Sequence, residues 1–277
     1  MDAAKPQSEA RPAGPRWLYR YLAIPPAGAE SRLERLLRYN ELHFSHPLRF
    51  NDPFDSVCLF GLKGSTREDW ESFYANPQKE LTVGEKEARI SAALANDAKH
   101  GWRKSSIDRD RLHSVMRQGL EEVRILCLSE RWDSLLMWAH YAAGHRGVCL
   151  RFDRMTIDRT WWCEKVRYRS DYPTLREFLA TEGNGRLTSA FLLLNKAAQW
   201  RYEREWRAIA FTFTSKTEPA ELPAGALCGV IFGCLTPPDD RARVASWLTA
   251  RAEAVPLFHV RRHPDAYRLT WRHSAGL

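Results

Sequence analysis

The segment Trp200-Arg201-Tyr202-Glu203-Arg204-Glu205-Trp206-Arg207 is the densest run of chemically capable side chains in the sequence. Two glutamates stand two apart where helical patterning gives way to a strand. In extended backbone, residues i and i+2 face the same way. Glu203 and Glu205 are therefore expected as a carboxylate pair on one face, interleaved with Arg204. Such a pair can divide its roles, one acid stabilising developing positive charge and the other handling a proton. The competing reading is a ladder of surface ion pairs, which contribute little. Trp200, Tyr202 and Trp206 argue for partial burial, where unpaired acids are costly.

Two further segments carry unusual combinations. Cys127-Leu128-Ser129-Glu130 ends a strand in a small hydroxyl residue, and Met137-Trp138-Ala139-His140-Tyr141 follows on a short helix. Met137 reads as core. Trp138, His140 and Tyr141 read equally as interior side chains or as the wall of a flat aromatic pocket with hydrogen-bonding edges. The third segment is Leu18-Tyr19-Arg20-Tyr21, taken with Asn51-Asp52-Pro53-Phe54-Asp55. An arginine between aromatics can clamp an anion, or simply lie across the tyrosines at the surface. Asn51 and Asp52 before a proline are turn formers first and ligand contacts second.

Other chemistries have weaker signals. No GxSxG is present, and no cysteine stands in a nucleophile motif. A metal-dependent nuclease would draw on Asp52, Asp55, Asp153, Glu203 and Glu205. His140 and His145 are five apart across a glycine, off a single helical face, so no metal site is expected.

These groups must be positioned by recognisable elements. Trp17–Tyr21 patterns as a strand. Ser31-x-x-Glu34 reads as a capping box before Leu33, Leu36 and Leu37, with Asn40 as the stop. A short strand is predicted over 41–45 and a turn over 51–55. Residues 66–121 read as mostly helical, with a break near Gly101 and an apolar stripe of Ile107, Leu112, Val115, Met116 and Leu120. Strands are predicted over 123–129, 147–153, 161–169, 205–213, 229–233, 255–260 and 267–272. Helices are predicted over 134–142, 186–202 and 239–252. The expected fold class is α+β, a single domain over 16–277 with mixed and antiparallel sheets. Residues 1–15 form a flexible lead, and 66–121 an inserted helical layer.

Composition narrows the class. The 277 residues are 44% hydrophobic and 27% charged, which excludes disordered and collagen-like chains. No apolar run approaches the ~20 residues of a membrane helix. MDAAKPQSEARPAGPR lacks a signal-peptide core, so a cytoplasmic location, or export without a cleaved signal, is expected. Cys58, Cys127, Cys149, Cys163, Cys228 and Cys234 form no CxxC pair and read as buried free thiols of a reducing compartment. The net charge is +8, with 33 arginines and nine lysines. Such a surface favours an anionic partner, whether nucleic acid, nucleotide or acidic protein.

The ordered strings LYRY, FNDPFD, LSE, LMWAHYAAGHRGVCLRFD, KAAQWRYEREWR and VIFG resemble a widespread bacterial family of uncharacterised proteins, DUF2971. The resemblance covers nearly all of the chain after about Trp17. Members look like accessory genes, some similar to abortive-infection proteins of phage defence. A second resemblance is to the R-S-E pattern of the ADP-ribosyltransferase superfamily, through LYR, the middle-strand serine and YERE. It implies NAD as cofactor and an ADP-ribosyltransferase-like fold. It implies Arg20, beside Tyr19, on the NAD phosphate or ribose and Ser129 supporting the nicotinamide side. Glu205 would bind the nicotinamide ribose and stabilise the oxocarbenium-like transition state, and Glu203 would orient or deprotonate the acceptor. Trp138 or Tyr141 would stack on nicotinamide, with His140, Asn51 and Asp52 lining the site.

The function expected on this basis is NAD-dependent ADP-ribosyl transfer, by a bacterial toxin, effector or anti-phage factor. The acceptor would be nucleic acid or protein, with a cognate inhibitor protein as a further partner and no membrane partner. The alternatives are a metal-dependent nuclease and a non-catalytic nucleotide- or nucleic-acid-binding module.

Overall fold

The computed structural model describes residues 14–29, 31–56, 65–75, 81–100, 120–181, 188, 191–211 and 219–273. Most of the expected 1–15 lead lies outside the described residues, but its last two residues are packed: Arg154 Nε donates to the Pro15 carbonyl at 2.9 Å, and Gly14 lies so close to the Trp206 ring that a Cβ would clash. Strand β1 (Trp17–Leu22) alternates, with Leu18 buried in one core and Tyr19 and Tyr21 in another. Helix α1 (Arg32–Tyr39) starts where Ser31 Oγ accepts the Glu34 N–H at 3.0 Å. The expected reciprocal half of the capping box gives way to a pair one turn on, because the Glu34 carboxylate holds Arg38 at 2.7 Å. Leu33, Leu36 and Leu37 are buried, and Asn40 in the left-handed region ends the helix.

The strands that follow are β2 (Glu41–Leu42), β3 (Val123–Ser129), β4 (Val148–Asp153), β5 (Trp162–Lys165), β6 (Arg167–Arg169), β7 (Asn195–Ala197), β8 (Glu205–Phe211), β9 (Ala220–Glu221), β10 (Leu227–Phe232), β11 (Leu257–Arg262) and β12 (Leu269–His273). Eight of them form one mixed sheet in the order β12-β11-β10-β4-β1-β3-β8-β5, antiparallel except for β10 beside β11. Two small ribbons, β2-β9 and parallel β6-β7, stand apart. The other helices that lie wholly among the described residues are α2 (Arg67–Ala75), α3 (Val83–His100), α4 (Leu135–Tyr141), α5 (Arg154–Thr160), α6 (Leu175–Leu179) and α7 (Pro238–Leu248).

The sheet buries apolar side chains on both faces. Leu126, Leu128, Leu150, Phe152 and Phe232 pack with α1 and α7 through Leu36, Leu37, Val244 and Trp247. On the opposite face, Trp138 of α4 packs over Tyr21 and Cys149. Beside it, α2, α3 and α6 cover Val123, Ile125 and Ile209 with Trp70, Phe73, Ile90 and Phe178. The described part of the 66–121 block is thus a helical layer packed on the sheet, in a mixed α+β fold. Residues 107–116 of its expected apolar stripe lie outside the described residues.

Two expectations are corrected. The predicted helix over 186–202 stops at Leu193, where Asn195 Nδ2 takes the Phe191 carbonyl at 2.6 Å. The chain then pairs as β7 with β6 and tightens into a 3₁₀ turn over Ala198–Glu203. The predicted strand over 161–169 breaks at Val166, whose N–H donates to the Glu205 carbonyl at 2.9 Å, so its two halves join different sheets. No described helix is long and apolar enough to cross a membrane.

Candidate active site

Antiparallel pairing carries a row of side chains across three strands, because directly opposed residues share a face. Tyr19 opposes Ser129, and Ser129 opposes Glu205. Arg207 follows Glu205 on that face. Glu203 reaches the same place by another route than the expected strand alternation. It ends the 3₁₀ turn, and Arg204 at φ 44° and ψ 51° swings the chain into β8. A left-handed non-glycine residue costs about 1 kcal/mol, and its neighbours over-determine it here. Ser129 Oγ donates to the Glu203 carbonyl at 2.6 Å, and the Glu130 N–H donates to the Arg204 carbonyl at 3.0 Å.

The two carboxylates meet around a buried cation. Lys196 Nζ lies 2.5 Å from Glu203 Oε2, 2.8 Å from Glu205 Oε2 and 3.4 Å from Asp55 Oδ2. Arg207, fully buried, completes the cluster. Its Nε donates to Glu205 Oε1 at 2.8 Å, and its Nη2 donates to both Asp55 oxygens, at 2.8 and 2.6 Å. Nη1 binds Ser56 Oγ at 3.0 Å and the Leu193 carbonyl at 2.5 Å. The Glu205 N–H donates to Tyr168 Oη at 2.8 Å. Two cations and three carboxylates share one desolvated volume, so full ionisation leaves one negative charge in excess.

That excess separates the two glutamates. Burial alone would raise the Glu205 pKa, but the charges of Arg207 and Lys196 outweigh it and hold it down to about 2. Glu203 moves the other way, raised chiefly by burial and further by Glu205, with Lys196 and Tyr141 offsetting only part. Burial would lower the Lys196 pKa, but the surrounding acids hold it above the usual lysine value. The cluster thus holds a fixed carboxylate and a carboxyl poised to take a proton. Tyr141 hydroxyl donates to Glu203 Oε1 at 2.6 Å. Its ring is partly exposed, its hydroxyl meets Asn51, and its own pKa is raised, chiefly by burial.

The Glu205 shift has a sign in stability. A folded-state pKa below the unfolded value contributes stability above the unfolded pKa, lost as pH falls through the folded one. From 4.5 to about 2, the Glu205 contribution is about 3 kcal/mol, and Glu203, shifted upward, works against it. The urea midpoint is expected to fall steeply as pH drops from 4.5 towards 2. A midpoint constant over that range would contradict the ion cluster.

The other expected site residues are distributed as follows. Ser129 is buried and positions the Glu203 backbone. Trp138 is corrected to a core residue: its ring is fully buried, edge-on to Tyr21 at 5.2 Å, with Nε1 on the Trp132 carbonyl. Tyr19 is buried in the same core. His140 is exposed and shares a 3.2 Å hydrogen bond with Tyr202. Asp52 is buried, with Oδ1 accepting the Phe54 N–H at 2.9 Å. Arg20 falls on the Leu18 side of β1 by strand alternation. Its guanidinium donates to the His43 carbonyl at 3.3 Å and makes no hydrogen bond or ion pair with the cluster. Burial lowers its pKa to about 10. Arg204, expected between the glutamates, points outward to within 3.7 Å of Glu130.

The acids considered for a nuclease divide. Asp55, Glu203 and Glu205 already enclose Lys196 and Arg207, while Asp153 caps α5 by accepting the Thr156 N–H at 2.8 Å. Among the described residues, no group of His, Cys, Asp or Glu has the arrangement of a metal site. Lys196 and Arg207 complete the cluster, and spacing alone did not mark them. Their signal was indirect, since three buried acids require buried cations.

A family model described as "Protein of unknown function (DUF2971)" matches residues 137–208, the stretch from α4 through the first part of β8. The match supports that family resemblance, and its span contains Tyr141, Lys196, Glu203, Glu205 and Arg207. No curated protein and no solved structure matches the chain.

Proposed function

We propose that the chain is an NAD-dependent ADP-ribosyltransferase in which Glu203 and Tyr141 are the working pair. The observation that carries this reading is the division between the two glutamates. Both carboxylates are buried, at 4% and 3% exposed, and both hold Lys196; Glu205 is locked further by Arg207, whereas Glu203 has a raised proton affinity and meets a partly exposed tyrosine. The oxocarbenium-stabilising role expected of Glu205 therefore passes to Glu203, and Glu205 becomes a positioning residue. The ADP-ribosyltransferase-like fold type and a role as toxin, effector or anti-phage factor belong to the same proposal.

The chemistry is the following. The C–N bond between ribose and nicotinamide breaks, and its electron pair leaves on the nicotinamide nitrogen. Positive charge develops on the ribose carbon, and the Glu203 carboxylate stabilises it in a site shielded from bulk water. The acceptor's oxygen or nitrogen then bonds to that carbon, and its proton passes to Glu203. The Tyr141 hydroxyl occupies Glu203 Oε1, so that hydrogen bond must open for NAD to reach the carboxylate. Arg201, exposed on the same turn, is the cation we assign to the pyrophosphate.

The test is nicotinamide release from NAD by the purified protein, with and without nucleic acid and cell lysate as acceptor sources. No release under any condition, by folded protein, refutes the reading. Tyr141→Phe adds a signature that a structural tyrosine would lack. The hydroxyl lowers the Glu203 pKa, so its removal is expected to move the acid limb of the pH–rate profile to higher pH.

A further inference from the structure

A second site lies away from the ion cluster, in a cavity of about 610 Å³ beside the β11–β12 hairpin. That volume falls within the range of small-molecule sites. Its lining combines three kinds of group. Arg262 and Arg268 are cations. Arg262 is exposed and has no carboxylate partner among the described residues. Among the described residues, the Arg268 guanidinium has spent only one nitrogen, at 2.7 Å from His263 Nε2. Asp265 supplies an acceptor carboxylate. Tyr267 is 102% exposed at the hairpin tip, and Leu235 is 47% exposed on the facing loop. The exposed tyrosine ring and the half-exposed leucine border the same opening and give it an apolar edge.

The set is complementary to a nucleotide unit. Guanidinium forks suit phosphate oxygens. A carboxylate accepts from ribose hydroxyls or from an exocyclic base amine. An exposed phenol ring offers a stacking face to any base. Bare phosphate would use only the first of these. We infer that the cavity beside the β11–β12 hairpin binds a nucleotide, phosphate on Arg262 and Arg268 and base against Tyr267. The unit comes either free or as part of a single-stranded nucleic acid.

Three probes test this by calorimetry or anisotropy: inorganic phosphate, ATP and a labelled oligoadenylate. Binding of ATP or of the oligonucleotide at least ~10-fold tighter than of phosphate is expected, since ring and carboxylate add contacts. ATP alone binding would identify the free nucleotide as the source, and the oligonucleotide alone would identify a strand. Arg262→Glu is expected to weaken binding by more than ~10-fold, and Tyr267→Ala by ~5- to ~100-fold. Both side chains are exposed, so both variants should keep the wild-type circular dichroism spectrum. Phosphate binding as tightly as ATP, absence of saturable binding by ATP and oligonucleotide, or wild-type affinity in both variants would each overturn the inference.

Discussion

Glu203→Gln is expected to lower nicotinamide release by roughly 10²- to 10⁴-fold, the range associated with losing a positioned acid–base group. The same substitution should leave the protein folded. Glutamine can turn its oxygen to the Lys196 ammonium and donate its amide to the Tyr141 hydroxyl oxygen, and it removes the one negative charge by which the cluster exceeds its cations. Lys196 retains Glu205 at 2.8 Å and Asp55 at 3.4 Å. The expected pattern is therefore activity lost and thermal midpoint held or raised. Wild-type turnover in a folded Glu203→Gln protein would sink the assignment.

Glu205→Gln makes the contrast. From the sequence alone, this variant would be the one to lose NAD cleavage with the fold intact. Geometry changes that expectation, because the Glu205 carboxylate takes Arg207 Nε at 2.8 Å and Lys196 Nζ at 2.8 Å inside the core. Neutralising it weakens two buried ion pairs at once, so a drop in activity there would be inseparable from a drop in stability. Glu203 tests chemistry and Glu205 tests architecture.

Much of this architecture was legible locally. Leu33, Leu36 and Leu37 at helical spacing, with Ser31 before and Asn40 after, fix α1 without reference to the rest of the chain. The apolar runs of β3, β4 and β10 read directly as buried strands. What failed were segments whose conformation is set by distant partners. Residues 195–197 are strand because β6 lies alongside and because Lys196 must reach three acids. Nothing within 186–202 announces either fact. The site shows the same division. The proximity of Glu203 and Glu205 was readable from their spacing, but for the wrong reason, since the left-handed Arg204 and not strand alternation brings them together. The pairing of Arg207 with Asp55 was invisible because the two are 152 positions apart in sequence, and Lys196, only seven and nine positions from the glutamates, lay in a segment read as helix. Trp138, read both as pocket wall and as core, is resolved by burial on every side.

Arg207→Met is expected to cost about 3–5 kcal/mol of folding stability, the usual consequence of removing one partner from a buried ion pair. Arg207 supplies the Asp55 carboxylate with two hydrogen bonds and the Glu205 carboxylate with another, and it also satisfies Ser56 Oγ and the Leu193 carbonyl. Without it, three carboxylates would share Lys196 alone. Phe50, whose ring lies 5.2 Å from the guanidinium, would pack against the methionine, so the loss would be electrostatic more than volumetric. Chemical denaturation reads the total, and a double-mutant cycle apportions it. If the cost is that of stranded negative charge, adding Glu205→Gln to Arg207→Met should cost less than the two single losses summed, by about 1–3 kcal/mol. Strict additivity would mean that Arg207 and Glu205 act independently, contrary to their 2.8 Å contact. The same cycle bears on function, because the proposed mechanism needs Glu205 as the fixed charge that keeps Glu203 ready for a proton. A double variant that regains stability yet stays inactive would show that this charge arrangement serves the chemistry as well as the fold.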